Sequence, residues 1–290
     1  VTLLPGRFFN SLNSCSGGGT EDPLFCLGSF SCAPDRLVMA PMTILLLGAT
    51  GATGRLLLQQ LLERGHHVRA VVRAAERLPE AVREHENLAV TEAAFLDLSD
   101  EQIAALTSGC DAVASCLGHN LSFSGIWGEP RRLCLDSARR VCEAVKAQGG
   151  GAAKKVKYVL MGTVGVFNED EAEAPFSTAE SWIMATLRLA LPPHVDNEEA
   201  AEYFRSTIGQ DDASVEWAVA RPDDLKDVDE VTPYDVFQKQ QYSPIFGEGT
   251  TSRINVAHFM AELITDGDKW NTWKGKMPTI YDRVEKAADA

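Results

Sequence analysis

Positive charge is scarce in this chain. Only 27 Lys and Arg stand against 41 Asp and Glu, a net charge of −14 over 290 residues. A surface of that sign repels phosphate backbones and anionic headgroups. Nucleic acid and membrane are therefore excluded as expected partners, and a small-molecule substrate remains. Long apolar runs are also missing. Nothing approaches the roughly 18 residues of a bilayer-spanning helix, and the greasiest segments, at 44–47 and 182–191, have the lengths of a strand and a core helix. The seven cysteines form no Cys-x-x-Cys pair and have no histidines at zinc-ligand spacing, so no metal is expected. Their odd number fits a reducing compartment. Cys134 and Cys142 share the apolar face of a predicted helix with Ala138, Val141 and Val145, where a thiol acts as a small hydrophobe. With 45% hydrophobic residues the chain can fill one large core without staples, and a monomer or homodimer is expected.

Residues 1–38 show neither helical nor strand periodicity and carry Ser14-Cys15-Ser16-Gly17-Gly18-Gly19, the composition of a flexible leader. A transit segment is the other reading, although Glu21, Asp22 and Asp35 are unusual in one and Arg7 and Arg36 are the only basic residues before Met39. Met39 or Met42 could equally begin the folded protein. The expected location is cytoplasmic, or organellar if residues 1–38 act in transit. Residues 39–290 are expected to form one domain.

From Thr43 onward, short β-branched or leucine-rich runs alternate with amphipathic stretches, the pattern of βαβ units around a parallel sheet. Strands are predicted near 43–47, 67–72, 88–94, 111–115, 155–161 and 214–220. Helices are predicted near 52–64, 100–108, 129–147, 178–191, 196–208 and 255–265. The expected fold is a doubly wound α/β (Rossmann) domain, whose ligands bind at the carboxyl edge of the strands.

The loop Gly48-Ala49-Thr50-Gly51-Ala52-Thr53-Gly54 joins the first strand to the first helix, which places it as a dinucleotide fingerprint. Gly48 permits the tight turn, Gly51 lets backbone approach a pyrophosphate, and Gly54 allows close helix–strand packing. Exposed N–H groups at Ala52 and Thr53 and the helix dipole attract the anion, and Thr50 and Thr53 add hydroxyls. The second strand ends in Arg73, where an NAD site would have an acid to accept from the ribose hydroxyls. A guanidinium there pairs with a 2′-phosphate, so NADP(H) is the expected cofactor, with Arg77 in support. Asp97 and Leu98 are placed to meet the adenine. The Cys116-Leu117-Gly118 turn should let backbone approach the nicotinamide half.

Gly48-x-x-Gly51-x-x-Gly54, Arg73, Asp97-Leu98 and Ala220-Arg221-Pro222 resemble the atypical, NmrA-like short-chain dehydrogenase/reductase family over about residues 42–282. A narrower resemblance, to a branch of NAD(P)-binding oxidoreductases, rests on residues 115–120, Leu191-Pro192-Pro193 with Asp196-Asn197, residues 256–260 and Trp273-Lys274-Gly275-Lys276. The resemblance implies an NADP(H) site that includes Pro222, and hydride transfer to a small carbonyl or conjugated compound. It also implies a Tyr-x-x-x-Lys pair, which the chain lacks. Pro193 and Asn197 fall in the two slots, and Thr163 falls near the place of the usual serine. His119 and His194 are the remaining proton-transfer candidates, since histidine titrates near neutral pH. Asp196 reads as an N-cap for residues 197–201. The alternative function is a non-catalytic NADP(H)-binding redox sensor or regulatory protein. Three segments keep open readings. The stretch 181–191 could be a lid, an oligomer face or a buried helix, and Phe123 and Trp127 could line a pocket or anchor a loop. Trp270 and Trp273 read as packing residues.

Overall fold

In the computed structural model of the chain, residues 40–119, 126–149, 154–168 and 176–283 are described; the leader expected at 1–38 and Phe123 lie outside them. The leucine-rich first run, Thr43–Leu47 (β1), has its last four residues buried. A strand covered on both faces is the parallel-sheet signature. It pairs in parallel with His67–Val72 (β2) on one side and Ala112–Ser115 (β4) on the other. Leu88–Glu92 (β3), Val156–Met161 (β5) and Val215–Pro222 (β6) extend the sheet outward. The order is β3-β2-β1-β4-β5-β6-β10-β8, doubly wound through its first six strands.

The last two strands, Tyr234–Phe237 (β8) and Thr279–Asp282 (β10), run antiparallel to each other, and β10 continues the parallel set beside β6. A short second ladder joins Asp224–Lys226 (β7) to Thr250–Ser252 (β9) above the end of β6. The sequence pattern did not predict these four strands. Each has three or four residues, too few to show a period.

Helices close both faces. Gly54–Glu63 (α1) and Arg253–Thr265 (α7) pack on one. Asp100–Thr107 (α3), Leu133–Ala147 (α4) and Pro192–Glu202 (α6) pack on the other, where Phe204 has no exposed surface and lies against Tyr158 and Trp217. Cys134 and Cys142 are buried on this face, as their helical spacing implies. Gly65 ends α1 with φ +79°, the left-handed cap expected there. Two short helices, Glu80–Arg83 (α2) and Gly267–Trp273 (α8), lie between longer elements, and Trp270 of α8 is buried as a packing residue.

The helix Thr178–Ala190 (α5) corrects the buried-helix reading of 181–191. Met184 and Glu180 are buried, but Trp182 and Leu189 are 73% and 86% exposed on the outer side. A capping box at Ser177 and Glu180 opens it, and Arg188 ties it to Glu198 of α6 through a forked ion pair.

The second correction concerns Asp196. The helix expected from 196 begins at Pro192, because proline at the first positions is already fitted to a helix start. Asp196 therefore lies inside α6 and caps a different helix. Its buried carboxylate accepts from Cys134 N at 2.8 Å and Leu135 N at 3.0 Å, the first turn of α4, and from His119 Nε2 at 2.8 Å. Burial alone would raise the Asp196 pKa, but these hydrogen bonds outweigh it and hold the carboxyl below its ordinary range.

Removing Asp196 leaves the α4 N-terminus and a buried imidazole without their acceptor. Asp196→Ala is expected to cost about 3 kcal/mol of stability, the lower end for breaking a buried pair, measured by urea unfolding at pH 7. The sign follows from the depressed pKa. The contribution is present above the unfolded carboxyl value near 4 and is lost as pH falls through the lower folded value. The wild-type advantage should therefore shrink in acid; a difference independent of pH would exclude the charge as its source.

Candidate functional site

Three glycines shape the turn after β1, each by a different contact. Gly48 has φ +81°, and a Cβ on it would meet the Cys116 carbonyl oxygen at 2.5 Å. A Cβ on Gly54 would lie 2.0 Å from the Gly48 oxygen. Gly51 is exposed, and its N–H donates to Gly48 O at 2.9 Å to close the turn. The helix this turn opens has no side-chain cap and no acid in its first turn. Arg55 N–H and Leu56 N–H are taken up by Gly51 O and Thr53 O, so the N–H groups of the turn ahead of them and the positive end of the dipole are what this helix start offers an anion.

A cavity of about 510 Å³ opens beside the turn. Gly48, Thr50, Gly51, Arg73, Arg77, Asp97, Cys116, Leu117 and Gly118, all expected at the ligand edge, line it together. Val71, Val72 and residues 93–96 supply an apolar wall, and Glu129, Pro130 and Leu133 close the far side. The sequence reading missed Glu129 and Pro130 because it began the helix at 129, whereas α4 starts at Leu133. Thr53 is buried and Ala52 exposed at the helix start.

Ala52, Thr53 and Gly54, at the helix start, do not line the cavity, and two further expected members, Leu98 and Pro222, are buried away from it. Leu98 is buried in the core beneath it, with its carbonyl accepting from Arg140 at 2.6 Å. Pro222 is buried at the end of β6, and its carbonyl accepts from Val164 N at 3.1 Å. Each is an apolar side chain next to a strand or loop end, where the inward option buries more surface.

Arg73 and Arg77 are exposed at the cavity, and neither forms a hydrogen bond or ion pair with a described residue. By contrast, Arg132, Arg188 and Arg283 are each paired with a carboxylate. Cys116 is no redox candidate. Its sulfur packs 3.9 Å from Met260 Sδ, and burial pushes the thiol up to about 12.

The proton-transfer candidates gather past the ends of β4 and β5. His119 follows the Cys116-Leu117-Gly118 turn, but its Nε2 is committed to Asp196 and only 6% of the side chain is exposed. Cys134 Sγ donates to Leu117 O at 3.4 Å, a second tie between α4 and the same turn. His194 projects from α6 onto the loop after β5. A Cβ on Gly165 would meet its ring at 3.2 Å, and its Nε2 lies 3.4 Å from Glu198. Thr163 stands at the start of that loop, its hydroxyl 3.4 Å from Gly165 N. In the two slots of the missing pair, Asn197 Nδ2 donates to Pro193 O at 3.1 Å, a bond internal to α6. Trp127 is 43% exposed and does not line the cavity.

One acidic residue at this edge was not singled out from the sequence. Asp223 directly follows β6, and its Oδ2 is buried without a hydrogen-bond partner. Among the described residues no cluster of His, Cys, Asp and Glu could hold a metal ion, and no helix is long and apolar enough to cross a membrane.

Comparison with known proteins agrees with this geometry. The profile of the NAD(P)H-binding family matches residues 48–267. No curated protein matches the chain. Among solved structures, a wide-type short-chain dehydrogenase/reductase from Veillonella parvula DSM 2008, in complex with NADP, superposes with a TM-score of 0.60 at 14% identity, over 84% of this chain and 95% of that one. A protein provisionally named an NAD-dependent epimerase/dehydratase, from Bacillus halodurans, gives 0.60 at 20% identity, over 83% and 94%. A provisionally named NADH-flavin reductase from Streptococcus pneumoniae TIGR4 gives 0.56 at 14% identity, over 83% and 100%. Likeness at such identity establishes the fold alone. The glycine turn, the uncapped helix, the cavity at the carboxyl edge and the match over residues 48–267 converge: the chain belongs to the NAD(P)H-binding family, with a Rossmann fold.

Proposed function

We propose that the protein is an NADP(H)-dependent oxidoreductase that reduces a small carbonyl or conjugated substrate without a Tyr-x-x-x-Lys pair. The observation that carries this reading is the pair Arg73 and Arg77, without a partner among the described residues and lining the cavity where β2 ends. An NAD site would have a carboxylate there, to accept from the ribose hydroxyls; a guanidinium instead offers a fork to a 2′-phosphate. Gly48, Gly51 and the free N-terminus of α1 would hold the pyrophosphate, with Thr50, Ala52, Thr53 and Gly54 shaping that end. Asp97 and Glu129 would accept from the adenosine half, and the backbone of residues 116–118 would flank the nicotinamide. When bound, the cofactor supplies a hydride; the chain supplies orientation and a proton. Thr163, at the end of β5, is the hydroxyl placed to orient the substrate oxygen. His119, fixed on Asp196, acts mainly to hold the 116–118 turn against α4. The buried thiols of Cys110, Cys134 and Cys142 suit a reducing compartment such as the cytoplasm.

A second reading, a redox sensor without turnover, draws on the Asn197–Pro193 bond. The slots of the missing pair are filled by residues bonded to each other, and neither offers an acid.

Calorimetric titration with NADPH, NADP, NADH and NAD tests the cofactor. The phosphorylated forms should bind more tightly, and Arg73→Glu should lower their affinity about tenfold to a hundredfold, the worth of one or two charge-assisted hydrogen bonds. Equal affinity for NADH, or an unchanged preference in the variant, would overturn the assignment.

A screen of aldehydes, quinones and enones for substrate-dependent loss of NADPH absorbance separates enzyme from sensor. Turnover is expected in at least one class, and Thr163→Ala should lower kcat about tenfold or more, the scale for losing one positioned hydrogen bond. Tight NADPH binding with no turnover in any class would favour the sensor.

A further inference from the structure

The carboxyl of Asp223 stands apart from every other acid at the ligand edge. It follows β6 directly, and β6 lies beside β5 with Met161 opposite Ala220, so Asp223 and Thr163 leave neighbouring strands at the same end of the sheet. Two backbone bonds lock the segments together, Gly162 N to Ala220 O at 2.8 Å and Val164 N to Pro222 O at 3.1 Å. The Asp223 main chain is fixed from the other side, where its N–H donates to Thr251 Oγ1 at 3.2 Å.

Its carboxyl is held on one oxygen only. Oδ1 accepts from Asp224 N at 2.9 Å, while Oδ2 is buried with no partner. Gly249 makes the close approach possible: a Cβ there would lie 2.2 Å from Oδ2 and 2.8 Å from the Tyr281 ring. The ionisable groups facing Asp223 are its neighbour Asp224, the first residue of β7, and Tyr281 on β10; among the described residues no cation pairs with it. Arg221, two positions back, directs its guanidinium to the carbonyls of Met277 and Val166. Burial, and secondarily the charge of Asp224, raises the Asp223 carboxyl to about 6. A carboxyl of that kind carries a transferable proton close to neutral pH.

We propose that Asp223 is the proton donor of this site, a carboxylic acid in the role that the absent tyrosine would fill. The inference rests on the reductase reading above. In the step, hydride adds to the carbonyl carbon of the substrate and the C=O π pair moves to oxygen. The Asp223 O–H bond breaks as the O–H bond of the product alcohol forms. The cofactor is oxidised by two electrons, the carbonyl is reduced by two, and Asp223 recovers its proton from water.

A carboxyl in that role would stand near the nicotinamide and so distinguish the cationic oxidised ring from a neutral reduced one, which can be read without any substrate. Affinities of the full chain for NADP and for tetrahydro-NADP, an acid-stable neutral-ring analogue, would be measured from pH 5 to pH 8. Both ligands carry the 2′-phosphate, so its titration cancels in their ratio. The preference for NADP should rise about fivefold on going from pH 5 to pH 8, most of the tenfold that one pKa unit of coupling gives over the whole titration. Asp223→Asn should abolish the rise and Asp223→Glu should retain it. A ¹³C-aspartate titration of the wild type gives the same answer if the Asn variant fails to fold: one carboxyl should titrate near 6 and move about one unit lower with NADP. Binding of both nucleotides with a pH-independent ratio, or with a carboxyl that NADP does not move, overturns the role of Asp223 and leaves the cofactor reading intact. Failure of either nucleotide to bind overturns both.

Discussion

The carbonyl of Gly48 sits directly under the first residue of α1, where a Cβ on Gly54 would come within 2.0 Å of it. The same residue packs its Cα against the carbonyl of Cys116. These two approaches fix where α1 begins relative to β1 and where the chain leaving β4 must pass. The uncapped helix start, the floor of the cavity and the 116–118 turn are all placed by them. Glycine is required twice here for two reasons: a positive φ at Gly48, and a missing side chain at Gly54. A methyl group at either position would push the helix from the sheet or the β4 turn from the cavity, so the binding edge and the packing of the first βαβ unit cannot be varied independently.

Most of the sheet could be read from the sequence because its inner strands are long enough, and apolar enough on both faces, to report their own burial. Thr43–Leu47 and His67–Val72 needed no tertiary information. The glycine turn was equally legible, since its spacing and its place between strand and helix are local facts. What stayed hidden depends on partners remote in sequence. The strands β7 and β9 exist because Asp224–Lys226 meets Thr250–Ser252, and neither segment has a pattern alone. Asp196 was read correctly as a helix cap and assigned to the wrong helix. A cap preference is visible in one residue, but the N–H groups it satisfies at Cys134 and Leu135 lie in another segment. Leu98 and Pro222 sit beside the site in sequence, and burial, which sequence proximity does not reveal, turns them away from it.

The acidic character of the chain sharpens the meaning of its arginines. A protein of charge −14 presents an unfavourable mean field to a nucleotide with several phosphates. Charges beyond about 8 Å are largely screened at physiological ionic strength, so the groups lining the cavity decide. There the α1 N-terminus and the side chains of Arg73 and Arg77 outnumber Asp97 and Glu129 near the expected phosphates. Other arginines are neutralised by neighbours, as in the forks Arg132–Glu199 and Arg283–Asp235. The local cations, and not the net charge of the chain, thus decide whether the site attracts a phosphate.

The same reasoning applied to the acids separates His119–Asp196 from Asp223. Asp196 receives three hydrogen bonds and is held below its ordinary pKa, so it stabilises the fold at neutral pH and has no proton to give. Its grip on His119 Nε2 makes that imidazole part of the scaffold. Asp223 has the opposite balance. Because its folded pKa is raised to about 6, its favourable share of stability is present below the unfolded carboxyl value near 4 and is lost as pH rises through about 6. At neutral pH the fold therefore bears a buried oxygen that no described residue satisfies. Packing could have removed that penalty by placing a donor where Gly249 stands, or an amide in place of the acid. A buried unsatisfied group calls for an explanation, and for Asp223, at the end of β6 beside the backbone of the loop that carries Thr163, the proposed role as proton donor supplies one.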